Sequence, residues 1–196
     1  AGPAFVTTTG MALGTPSYVV APSKVHHLFV KPLLEAYPNA KLYGAPGLAT
    51  KRKDLSFHGE LASDARTEWS SDLDEQLVEG APLMNEVLFF HRASRSLVVT
   101  DVAFNIPSAE HWWTRSYLRA MGAYGGFGQS KMVKLCVRDR SKVRASIERA
   151  LEWDFDRIVI IESLDSDAAH AALEEVAPAL GLGAAPRDFG FGVYDL

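Results

Sequence analysis

An α/β fold is what this sequence predicts, and three stretches predict it. Between Ser17 and Ala45 two short β-rich runs, SYVVA and KLYGA, flank a helical segment. Strand, helix, strand is the βαβ order of a sheet with crossover helices. Between Glu86 and Thr100 two apolar runs are separated by a polar reversal at Arg92–Arg95, which reads as two buried strands joined by a tight turn. From Asp139 onward a periodic helical segment leads into the β-branched run RIVII, Arg157 to Ile161.

The elements follow in order. Ala1 to Gly14 is small, Thr-rich and poor in core-forming side chains, so it reads as an extended arm. Ser17 to Ala21 is the first strand, stopped by Pro22-Ser23-Lys24, with His26 and His27 in the loop at its end. Phe29 to Tyr37 is a short helix, and Pro32 fits because it falls in the first turn. Lys41 to Ala45 is the second strand. Pro46 to Ser71 shows little periodicity, with Trp69 placed to cover a core edge. Asp74 to Glu79 is a further strand before the central pair. Ser108 to Met121 reads as a helix with a broad apolar face of Trp112, Trp113, Tyr117 and Leu118. Gly122 to Gly128 is a break without the preceding strand or the spacing of a phosphate-binding loop. Asp139 to Trp153 is the clearest helix, capped by Asp139 or Ser141, with Val143, Ile147, Ala150 and Leu151 on one face. Asp165 to Leu180 is the last helix. Gly181 to Leu196 is an irregular, Gly-rich aromatic tail. The whole, 1–196, reads as one domain.

Composition narrows the class. With 196 residues and nearly half of them apolar, the chain is long enough for a sizeable core. A net charge of -4, and no basic run longer than Lys51-Arg52-Lys53, argue against nucleic acid as a partner. The one cysteine, Cys136, excludes an internal disulfide and a cysteine-based zinc site. It falls in an apolar helical stretch and reads as an inert core thiol. No apolar run has the length of a membrane span. Ala1 is read either as a processed end, which implies an organellar interior, or as a trimmed one, which leaves the cytoplasm; the sequence keeps both open.

Three predicted strand ends carry polar groups: His26-His27, Asp101 and Glu162. Ligands gather at strand C-termini in α/β sheets. Two imidazoles and two carboxylates facing one cleft would suit zinc, iron or manganese. Against this, adjacent histidines do not easily place both rings on one metal, and Asp101 alone reads first as a turn cap. Asn105 and His111 are further candidates for the cleft. Ser94 and Ser163 lack an evident His-Asp context, so a serine nucleophile is not expected. An apolar pocket near Trp112-Trp113 and Phe127 is a third place for a ligand.

The blocks VVAPSKVHHLF, AYPNAKLYGAPGL, NEVLFFHRASRSLVVTDVAFNI and WDFDRIVII, in that order, resemble an uncharacterised branch of the metallo-β-lactamase-fold superfamily from about Leu13 to Ile161. The resemblance implies an αββα sandwich, N-terminally shortened because the family's additional N-terminal strands are missing. It matches His26 and His27 to a remnant of the His-rich motif, and Asp101 to the bridging aspartate. The departures are as informative. Pro82 to Glu86 carries no histidine where the family has Gly-His, Glu162-Ser163 replaces His-Gly, and Leu28 to Lys31 holds no ligand. A two-metal site is therefore not expected. The resulting expectation is a non-catalytic structural or binding subunit without a cofactor, docking another protein through its arm or tail. The alternative is a hydrolase of an ester, thioester or phosphoester, holding one zinc, iron or manganese ion on His26, His27, Asp101 and Glu162.

Overall fold

The computed structural model describes residues 15–62, 67–105, 112–125, 127–128, 131–161 and 192–195. Strand β1 (Tyr18–Ala21) and strand β2 (Lys41–Gly44) lie parallel, with Tyr18 opposite Lys41 and Ala21 opposite Gly44. Helix α1 (Val30–Ala36) joins them, and Pro32 sits in its first turn. The βαβ expectation is met. A short helix, α2 (Leu48–Lys51), and a two-residue strand, β3 (Gly59–Glu60), parallel to β2, interrupt the stretch expected to be irregular.

The second sheet contains β4 (Leu73–Leu77), β5 (Val87–His91), β6 (Ser96–Val99), β9 (Arg157–Ile160) and β10 (Gly192–Asp195). Its order is β10-β9-β6-β5-β4. The hairpin β5-β6 is antiparallel with Phe90 opposite Leu97, and β6 runs parallel to β9 with Val98 opposite Val159. The last strand corrects the reading of the tail as wholly irregular: Gly192–Asp195 pairs antiparallel with β9. Backbone hydrogen bonding to a neighbouring strand leaves no mark on side-chain periodicity over four residues. A separate ribbon pairs β7 (Phe104–Asn105) with β8 (Phe127–Gly128).

Side-chain alternation along the strands gives each sheet two apolar faces. Val19, Ala21 and Leu42 pack under α1 with Val30 and Leu33. Leu88, Leu97, Val99 and Ile160 pack under helix α5 (Arg140–Leu151) with Val143, Ile147 and Ala150. The opposite faces meet. Tyr18 and Tyr43 of the first sheet share a cluster with Trp69, Val87, Phe89 and Val98 of the second. Trp69 is not a rim residue but is wedged between the sheets, its ring edge-on to Tyr18 at 5.0 Å and to Tyr43 at 4.7 Å.

Two apolar faces differ from expectation. Leu151 is 61% exposed, so the inward stripe of α5 ends at Ala150. In helix α3 (Trp112–Met121) Leu118 is buried, whereas Trp112 and Trp113 are 68% and 38% exposed. Helix α4 (Lys131–Cys136) places Val133 beside Ala81 and Met84 and leaves Cys136 half-buried. No described helix is long and apolar enough to cross a membrane. The arm 1–14 and the predicted helix from Asp165 to Leu180 lie outside the described residues.

Candidate functional site

The site is built where β1 and β6 end. Pro22 breaks β1, and its carbonyl accepts the Val87 N–H at 2.8 Å, which stitches the end of the first sheet to β5. One residue on, Ser23 is fully buried. Its Oγ accepts the N–H groups of Val25 at 3.1 Å and His26 at 3.0 Å, a local hydroxyl turn that curls the loop back. The same Oγ donates to Asp101 Oδ2 at 2.8 Å. His26 Nδ1 lies 3.0 Å from that oxygen, so one carboxylate oxygen gathers a serine and an imidazole from the other sheet. Asp101 is 7% exposed and follows β6 by two residues.

Beneath Asp101 lies a second carboxyl. Glu86 is 0% exposed, with Oε1 accepting the Thr100 N–H at 2.6 Å and Oε2 the Asp101 N–H at 3.1 Å. It caps the open end of β6 as an Asx-type acceptor would cap a turn. Burial pushes its carboxyl up to about 7, the Asp101 charge adds to the rise, and Thr100 opposes it through its N–H and its side chain. Burial likewise raises the Cys136 thiol, with Asp101 contributing, which keeps that sulfur unreactive.

Of the four proposed ligands, three lie among the described residues, and only two of these meet. His26 reaches Asp101. His27 instead turns to Arg52, whose Nη1 lies 3.0 Å from His27 Nδ1 and 3.1 Å from its carbonyl oxygen. A guanidinium only donates, so Nδ1 of His27 is an acceptor here and carries no proton. Arg52 is in turn held by Asp54 at 2.7 Å, and the guanidinium keeps the Asp54 carboxyl down at about 2. A fixed positive charge against His27 disfavours a cation at that ring. Glu162 and His111 lie outside the described residues, as does the side chain of Asn105. Among the described residues no three His, Cys, Asp or Glu side chains gather as a metal's ligand set. Of the implied ligand set, His26 and Asp101 are the pair that the described residues bring into contact.

Sequence reasoning missed Ser23, Glu86 and Thr100. In the sequence Ser23 reads as part of a strand stop, and Glu86 as the edge of an apolar strand. The signal available was the charge itself: a glutamate directly before the run VLFF has to be explained by partners. Beside His26 a cavity of about 430 Å3 opens between the sheets, lined by Val20, Leu28, Phe29, Leu73, Phe89 and Val98 among others. Its walls do not include Trp112 or Trp113.

Comparison with curated proteins finds none that matches. A family model described as Domain of unknown function (DUF4336) matches residues 4–113, a span that takes in β1 to β7 with Ser23, His26, Glu86 and Asp101. Matched over more than half its length, the chain belongs to the DUF4336 family.

Proposed function

We propose that this protein is a non-catalytic binding module on a metallo-β-lactamase-like sandwich, in which hydrogen bonds have taken the place of metal ligation. Support for the sandwich comes from the layering of α1, first sheet, second sheet and α5, and from the meeting of His26 with Asp101 across the sheets. One observation carries the loss of the metal: the would-be ligands are committed to protein partners. Asp101 Oδ2 takes Ser23 and His26, and His27 faces the Arg52 guanidinium. The binding role rests on the apolar cavity and on Val25, Leu28 and Phe29 at its side, which are 50%, 42% and 37% exposed in one short loop. Neighbouring exposed apolar side chains mark contact surfaces for a partner.

The second reading, a mononuclear metal-dependent hydrolase, is favoured by one specific distance. His26 at 3.0 Å from Asp101 supplies two of its ligands in one place. Elemental mass spectrometry of protein purified without chelator separates the two. The binding module is expected to carry well under one equivalent of zinc, iron or manganese, and to keep its melting temperature when each is added. About one equivalent in wild type, lost in Asp101→Ala without unfolding, would replace this reading with the hydrolase.

A further inference from the structure

Charge is unevenly spread along this chain. The stretch from Trp112 to Ile147 holds eight Lys and Arg against one acidic residue, Asp139. The whole chain has 20 basic and 24 acidic residues, which leaves 12 against 23 outside that stretch. Asp139 is spent as the N-cap of α5. Among the described residues, only Arg144 of the eight has an ion-pair partner, Glu148.

Two helices of this region turn cations outward together with apolar side chains. In α3, Trp112, Arg115, Ser116 and Arg119 recur at the spacing of one helical face. Trp112 is 68% exposed, Trp113 beside it is 38% exposed, and Leu118, off that face, is buried. Arg119 rests over the Tyr124 ring at 4.8 Å, which fixes its direction without neutralising its charge. In α4, Lys131, Lys134 and Leu135 form an exposed stripe, continued by Arg138, while Val133 on the far side is buried. Leu135 is 82% exposed. The helices adjoin, since a Cβ on Gly122, directly after α3, would lie 3.9 Å from the Lys131 side chain that starts α4.

Exposed tryptophan and leucine among uncompensated cations match a partner that offers negative charge and apolar depth side by side. A nucleic acid offers phosphates and base faces but no hydrocarbon for Leu135. An anionic bilayer offers both, with lipid phosphates for Lys and Arg and the boundary of head groups and acyl chains for indole and leucine. The acidic excess elsewhere on the domain does not forbid the approach, because at physiological salt exposed charge is screened beyond about 8 Å, well short of the width of a domain.

We propose that the outer face of α3 and α4 docks on an anionic lipid bilayer, with Arg119, Lys131, Lys134 and Arg138 against lipid phosphates and Trp112, Trp113 and Leu135 at the head-group boundary. The contact is peripheral, since no described helix is long and apolar enough to cross a membrane. It is independent of the cavity and of the metal question.

The test is co-sedimentation of the full chain with vesicles of phosphatidylcholine alone and of phosphatidylcholine mixed with phosphatidylserine. Wild type is expected to sediment with the mixed vesicles, to stay in solution with phosphatidylcholine alone, and to be released by high salt. Lys134→Gln should lower the partition coefficient about fivefold, the contribution of one basic residue near an anionic surface. Leu135→Gln should lower it about tenfold, since an apolar side chain then no longer leaves water. Both residues are exposed, so both variants should melt with wild type, which separates lost docking from lost folding. A single-stranded oligonucleotide and polyglutamate are the competing probes. Tighter binding of either, unchanged in Leu135→Gln, would give this face to a nucleic acid or an acidic protein and overturn the proposal. No sedimentation with the mixed vesicles, equal sedimentation with both kinds, or binding that neither variant weakens would overturn it as well.

Discussion

At Glu86 two forces oppose. Two backbone N–H groups favour the carboxylate, while complete burial and the Asp101 charge favour the acid, and the second pair wins. The folded-state value of about 7 lies above the ordinary 4.5, so the folded protein holds the proton more tightly than the unfolded chain. The stability from this group is therefore complete below about pH 4.5 and is lost as pH rises through about 7. The loss is on the order of 3 kcal/mol. Urea midpoints at pH 5 and pH 8 measure it. Glu86→Gln should flatten that slope, because no charge then has to be buried. It should also unfold more easily at pH 5, by about 1–3 kcal/mol, because one amide oxygen cannot serve both donors. A wild-type midpoint that stays level from pH 5 to 8 relative to the variant would refute the assignment. The sequence displayed Glu86 and Asp101 plainly enough. What it concealed was the cluster they join, since Ser23 and Asp101 stand 78 residues apart.

At the scale of elements, the join between β4 and α5 depends on one glycine. Gly80 has φ of +86°, and its carbonyl accepts the N–H groups of Arg138 at 2.8 Å and Asp139 at 3.0 Å. A Cβ at this position would run into the Asp139 carbonyl oxygen. Asp139 is itself the N-cap of α5, accepting from Ser141 and Lys142 through Oδ1 at 3.0 Å and 3.1 Å. Gly80→Ala therefore adds a left-handed backbone penalty to a displacement of the cap, and should cost about 3 kcal/mol in chemical denaturation. A change within about 0.5 kcal/mol, the size of an ordinary surface substitution, would show that α5 does not lean on this turn. The cap was readable beforehand, because aspartate before a periodic helix has a local cause. Gly80 was not, because its restriction comes from a helix that begins 60 residues later.

For the whole molecule, Trp69 ties the two sheets together. It is 8% exposed, lies against Tyr18 and Tyr43 on one side and Val87 and Phe89 on the other, and donates its indole N–H to Glu75 at 2.8 Å. Trp69→Ala should cost about 3–5 kcal/mol. Because the wedge serves both sheets, hydrogen exchange should quicken together in β2 and in β5. Faster exchange in one sheet only would mean that the sheets are held together elsewhere.

By itself, the sequence determined the parts whose causes are local. Short apolar, β-rich runs set β1, β2, β5, β6 and β9, a cap and a 3.6-residue stripe set α5, and Pro32 was tolerable only at the start of α1. Composition alone excluded a disulfide framework. The tertiary structure decided everything that depends on partners distant in the chain. It set His27 against Arg52 rather than beside Asp101, assembled Ser23, His26 and Asp101 into one cluster, and opened a largely apolar cavity between the sheets. It also paired Gly192–Asp195 with β9. The physical reason is the same in each case. Periodicity and capping are set by neighbours within a few residues, whereas a ligand set, a buried charge and a cavity are set by which faces the sheets turn toward each other.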